Sequence, residues 1–137
     1  MQQIIIIEDD TDDQEIMKLT LSDLYVESEV IFFNEGQSAL DYLSDASIIP
    51  LIIFSDINMP GMNGFQLRDK IHADPDLRMK CTPYIFLTTG GESKHIWEAY
   101  TKNVQGFFVK PSSVSEWKDL FALVLGYWSI SKKPRSN

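Results

Sequence analysis

Five short apolar runs punctuate the chain: IIII at 4–7, VIFF at 30–33, LIIF at 51–54, YIFL at 84–87 and FFV at 107–109. None of them alternates polar with apolar residues, so each has to hide both of its faces. Strands of that kind belong to a parallel sheet covered by helices on either side. The gaps supply the helices. The first carries Ile16, Met17, Thr20, Leu21 and Leu24 after Thr11 and Gln14, a spacing that predicts a capping box. The second carries Ala39, Leu40, Leu43 and Ala46 at helical spacing, and the third carries Phe65, Leu67 and Ile71 after Asn63-Gly64. The fourth carries Ile96, Trp97, Ala99 and Tyr100. After the last run, Ser113 and Glu116 predict a second capping box, with Trp117, Leu120, Phe121, Val124 and Leu125 on one helical face.

That alternation is (βα)5. Right-handed crossovers turn it into a doubly wound, five-stranded parallel sheet of the α/β class, with the flavodoxin-like strand order 2-1-3-4-5. The 137 residues are one domain's worth, expected at 1–128, with a flexible basic tail at 129–137. Net charge is 12 − 20 = −8 without a basic stripe, which argues against direct nucleic-acid binding and against an anionic membrane surface. The apolar runs IIPLIIF and LFALVLGYW fall short of a membrane span, and the N-terminus does not read as a signal peptide. The lone Cys81 has no partner for an internal disulfide. A cytoplasmic location is the expectation that follows.

In open α/β sheets ligands bind outside the carboxyl ends of the strands. There the first run is followed by Glu8 and Asp9, the third passes through Ser55 into Asp56, the fourth ends in Thr88 and the fifth in Lys110. In the order 2-1-3-4-5 these ends are neighbours, so three acids, a hydroxyl and an ammonium converge on one rim. Two carboxylates about 4 Å apart repel by roughly 4 kcal/mol at an effective dielectric near 20. Oxygen ligands without His or Cys suit a hard divalent ion such as Mg2+, which binds through a few carboxylates and a phosphate. A lysine and a threonine beside it complete the parts of a phosphoryl-transfer site.

The motifs IIIIEDD, FSDINMPGMNGFQL, FLTTG and GFFVKP, in this order and at this spacing, resemble the receiver domains of two-component response regulators. The resemblance runs from Ile4 to about Trp128. It implies a signalling phosphoacceptor rather than an enzyme with a separate substrate. Asp56 would accept a phosphoryl group from a sensor histidine kinase or a histidine phosphotransfer protein. Glu8, Asp9 and Asp56 would hold Mg2+, with the Asn58 carbonyl. Lys110 and Thr88 would bind the phosphoryl oxygens, Phe107 would be the switch aromatic, and a cis bond before Pro111 would aim the lysine. The resemblance leaves the downstream protein unspecified.

Some positions depart from the commonest pattern of that family. Glu8 replaces the usual first Asp, Phe107 lacks the hydroxyl of a frequent tyrosine, and Thr89 stands where a small residue is common. HADPDLRMKCTP lengthens the link before the fourth run, and Asn103 replaces a helix-ending Gly. The alternative reading is a Mg-dependent aspartate-nucleophile phosphatase or hydrolase, but such enzymes carry a second Asp two residues after the nucleophile, where this chain has Asn58. A flavin mononucleotide carrier would have a phosphate loop after the first strand, not five acids.

Other polar residues have plainer readings. Asp10, Asp12 and Asp13 read as acids favoured by a helix N-terminus rather than as ligands. His72 and His95 read as surface histidines and Cys81 as a semi-buried filler. The signal should leave by the face built from the fourth helix, fifth strand and fifth helix of the (βα)5 pattern. There Ile96 and Tyr100, one helical turn apart, would form an apolar strip with Phe107. Adjacent Ile96 and Trp97 cannot both face the core, and the expectation is that Ile96 faces outward.

Overall fold

The computed structural model describes residues 2–134. Among them the chain forms β1 (Gln3–Ile7), α1 (Thr11–Asp23), β2 (Glu29–Phe33), α2 (Gly36–Leu43), β3 (Ile52–Ser55) and α3 (Gly64–Ala73). There follow α4 (Pro75–Arg78), β4 (Tyr84–Thr88), α5 (Ser93–Thr101), β5 (Gly106–Val109) and α6 (Val114–Ile130). The five strands are parallel in the order β2-β1-β3-β4-β5, as expected.

The uninterrupted apolar runs feed two cores, because successive strand side chains point to opposite faces. Ile5, Ile7, Ile53, Tyr84 and Phe86 pack on one face with Ala39 and Leu43 of α2, Leu67 and Ile71 of α3, and Ala99 of α5. Ile4, Ile6, Ile52, Phe54, Ile85 and Leu87 pack on the other with Met17 and Leu21 of α1 and Trp117, Phe121 and Val124 of α6. β1 and β3 are central and registered residue for residue, Ile6 against Phe54 and Ile7 against Ser55. Their two chain ends therefore stop at the same height on the rim.

Local details differ from the sequence reading in four places. The cap of α1 is Asp10 rather than Thr11, its side chain accepting from the Asp13 N–H; Gln14 is turned inward instead. The long link before β4 folds its own turn of helix, α4, because Asp74 accepts from the N–H groups of Asp76 and Leu77 and Pro75 suits the first helical position. Helix α6 continues to Ile130, so the expected boundary at 128 falls inside it; Lys133 then donates to the Leu51 carbonyl at 2.9 Å, and the end of the expected tail, 135–137, lies outside the described residues. Cys81 is exposed, at a φ of 53°, rather than semi-buried. The caps at Asn63, boxed with Gln66, and at Ser113 follow the sequence, and Asn103 takes the left-handed conformation at φ 60° after α5. Among the described residues, no helix is long and apolar enough to cross a membrane.

Candidate functional site

Strand pairing delivers the acids to the rim. The Glu8 N–H donates to the Phe33 carbonyl and the Asp56 N–H to the Ile7 carbonyl, so both residues extend the ladder by one step beyond the strands. Asp56 is further fixed by the Ile57 N–H, which donates to its Oδ1 at 2.7 Å. Gly64, at the start of α3, lies hard against this strand end: a Cβ there would stand 2.2 Å from the Asp56 carbonyl oxygen. Only glycine lets α3 begin so close to the acid. At the edge of the sheet, the Lys110 N–H donates to the Thr88 carbonyl at 2.7 Å, prolonging the β4–β5 pairing and turning Lys110 inward.

The Lys110 ammonium sits among three carboxylates: 2.6 Å from Glu8 Oε1, 2.6 Å from Asp13 Oδ2 and 3.1 Å from Asp56 Oδ2. Burial pulls its pKa down, but the bonds to Asp13 and Glu8 and the charges of Glu8 and Asp56 outweigh that and hold it above the usual lysine range. Glu8 is the most enclosed of the acids, 1 % exposed. Burial pushes its carboxyl up to about 7; the Lys110 bond opposes the rise and the Asp56 charge adds to it.

One oxygen of each of Glu8, Asp9 and Asp56 lies within 4.8 Å of the others, a cluster that could hold a metal ion. Glu8 Oε1 is buried, and its one close partner is the Lys110 ammonium at 2.6 Å. A cluster of carboxylate oxygens without His or Cys suits a hard divalent cation. Asp9 is exposed, as is Asn58, and Asp9, Asn58, Asp56, Thr89 and Lys110 line one open basin.

The remaining expected residues fall out as follows. Thr88 is buried at the end of β4, its hydroxyl 3.5 Å from the Gly90 N–H. Phe107 is half-buried and packs edge-on against Phe86, with ring centroids 6.4 Å apart. The Lys110–Pro111 bond is trans, which corrects the cis bond implied by the resemblance; trans is the lower-energy isomer, and Lys110 already reaches the acids with it. The expectation for the α5 strip is also corrected: Trp97 faces outward at 74 % exposure and Ile96 is half-buried, with Tyr100 exposed. The buried position of Ala99 sets the inner face of α5, and Ile96 lies one turn before it.

Sequence reasoning missed two contributors on α1. Asp13 reaches Lys110, and Gln14 donates to the Glu8 carbonyl and to Asn34 Oδ1, tying the acidic loop to the edge of β2. The signal was present. Asp13 and Gln14 stand four and three residues before the buried Met17, so both lie on the inner side of the helix.

The chain matches the family model described as response regulator receiver domain over residues 4–122. It is 33 % identical over 124 residues to the chemotaxis protein CheY1 of Helicobacter pylori strain J99, covering 90 % of this chain and 97 % of that protein. The phosphorylated cyanobacterial phytochrome response regulator RcpA superposes with a TM-score of 0.85 at 24 % identity, covering 98 % of this chain and 99 % of the other. The Mn2+-bound form of response regulator Rcp1 superposes with a TM-score of 0.83 at 20 % identity, over 99 % and 100 % of the two chains.

Proposed function

The chain belongs to the response regulator receiver domain family of two-component signalling, and from that premise we propose that Asp56 is its phosphoacceptor, charged by a histidine kinase or histidine phosphotransfer protein. The observation that carries the assignment is the position of Asp56: 8 % exposed at the end of a central strand, with one oxygen facing Lys110 and the acid cluster around it. An Asp56 oxygen attacks the phosphorus of the donor's phosphohistidine, the O–P bond forms as the N–P bond breaks, and the imidazole leaves with the electron pair and takes up a proton. Lys110 supplies a fixed positive charge for the phosphoryl oxygens. Thr88, whose backbone is joined to that of Lys110, is placed to follow the new group with its hydroxyl.

Glu8, Asp9 and Asp56 would hold Mg2+, with the Asn58 carbonyl. When bound, the ion offsets the repulsion between the carboxylate and the incoming phosphoryl group. The change at Thr88 and Phe107 passes to the surface of α5, β5 and α6, where an undetermined downstream protein reads it. The proposed domain is the receiver fold through the end of α6.

Intact mass after treatment with a small acyl phosphate tests the assignment. One phosphoryl adduct is expected with Mg2+ and none in excess chelator. Asp56→Asn should form none at all. An undiminished adduct in that variant places the acceptor elsewhere.

A further inference from the structure

We propose that Asp13 is a positioning residue that holds Lys110 in the unphosphorylated molecule and competes with the phosphoryl group for it. Asp13 would thereby set how far the site favours the phosphorylated state. The inference rests on the assignment of Asp56 as phosphoacceptor and deepens it.

A lysine ammonium has three protons, and here three carboxylates crowd it. They are not equivalent. Glu8 and Asp56 also belong to the cluster with Asp9 whose oxygens converge within 4.8 Å, whereas Asp13 lies outside it. With a divalent cation held by that cluster, Glu8 and Asp56 would serve as its ligands and Asp13 would remain the anion that holds the lysine. The contact is short, 2.6 Å, and the Asp13 side chain is still 29 % exposed.

Asp13 is also pinned. Its N–H donates to the Asp10 side chain at 3.0 Å, and its neighbour Gln14 is anchored to the Glu8 carbonyl and to Asn34. The carboxylate therefore cannot withdraw with a loose loop when a phosphoryl group arrives. A phosphoryl group on Asp56 needs the same ammonium and brings further negative charge close to Asp13. Competition and repulsion both act against the phosphorylated state, and replacing the carboxylate by an amide removes both.

The test uses the full chain in saturating Mg2+, with the beryllium trifluoride anion as phosphoryl mimic, titrated by calorimetry. Mg2+ affinity is measured separately without the mimic. Asp13→Asn should bind the mimic about three- to tenfold more tightly, a shift matching the loss of one partly screened charge contact. Its Mg2+ affinity should not rise, because the substitution removes one acid that shares Lys110 with the cluster, and Asp13→Glu should restore wild-type mimic affinity. A merely structural role for Asp13 would move melting temperature without splitting these two affinities. If Asp13→Asn does not fold, Asp13→Ser, which keeps a small polar residue in the first turn, takes its place with the same expectation. Unchanged or weaker mimic binding in the folded variant overturns the inference while leaving Asp56 in place. Absence of mimic binding by the wild type overturns the phosphoacceptor assignment itself, and the inference with it.

Discussion

At the amino ends of the strands two buried cations face backbone carbonyls; at the carboxyl ends one cation faces three carboxylates. Arg68 donates to the carbonyls of Lys102 and Asn103 at 3.0 and 2.8 Å and lies over the Tyr84 ring, 5.3 Å from its centroid. Lys80 donates to the carbonyls of Leu43 and Asp45. These cations close the last turns of α2 and α5, where helix carbonyls lack intrahelical partners. Carbonyl oxygens do not titrate, so these cation–carbonyl contacts do not depend on the protonation of their acceptors. The rim carries Glu8, Asp13 and Asp56 around Lys110, with Asp9 beside them, and its energy changes with every proton or cation it gains. One end of the sheet fixes the fold, and the other is left responsive.

The largest expected effect breaks the quiet end. Arg68→Ala strands two carbonyls and removes a buried cation from an aromatic face, which should cost about 2–4 kcal/mol. Urea denaturation measures it. The loss should be nearly the same at pH 5.5 and pH 8, and the same with or without Mg2+. A loss that Mg2+ largely repairs would tie Arg68 to the rim and erase the contrast.

At the other end the sign reverses. Burial holds the Glu8 carboxyl at about 7 in the fold, against an ordinary value of 4.5. Between those two values the folded state binds more protons than the unfolded chain, so metal-free stability falls as pH rises from about 4.5 and levels off above about 7. The fall should be on the order of 1–3 kcal/mol. Glu8→Gln has no proton to lose there. It should match the wild type near pH 4.5, exceed it by about 1–3 kcal/mol at pH 8, and lose the stabilisation by Mg2+. Thermal melts across that range decide it. A variant less stable than wild type at pH 8 without metal would make Glu8 a structural partner of Lys110.

How much of this was legible in the sequence depended on whether a residue's place follows from strand period and order alone. Glu8, Asp56, Thr88 and Lys110 stand at or one step past strand ends, and parallel register brings such ends together. Asp13 was legible only in part: its spacing from Met17 turns it toward the sheet, but its reach to Lys110 depends on where the first turn of α1 stands over the rim. That placement is set by the Asp10 cap and the Gln14 anchor, neither of which the Thr11–Gln14 spacing foretold. On α5 the error had the same origin. Ile96 and Trp97 are both apolar, and the buried Ala99 fixed which of them turned inward. Gly64 was visible only as a helix start, since the close approach of α3 to the Asp56 carbonyl is a tertiary fact.

The smallest expected effect on stability lies on the outer surface, which belongs to neither end of the sheet. Trp97 is 74 % exposed and Tyr100 is 51 % exposed on α5, and Val109 on β5 is also outward. An exposed tryptophan buries little apolar area within its own fold, so Trp97→Ala should shift stability by no more than about 0.5 kcal/mol. Tyr100→Ala should do the same, and both variants should accept a phosphoryl group on Asp56 at the wild-type rate. If this face carries the output, what changes is recognition: aromatic side chains of this kind carry a large share of binding energy when a partner covers them. A protein captured by the beryllium-fluoride-loaded wild type, and bound less well by its unloaded form, should be bound at least about tenfold more weakly by loaded Trp97→Ala. Ile96→Ala is the contrasting control, because a half-buried isoleucine loses packing as well as surface and should lower the melting temperature. Undiminished capture by both Trp97→Ala and Tyr100→Ala would move the output away from α5, while the contrast between the two ends of the sheet would stand.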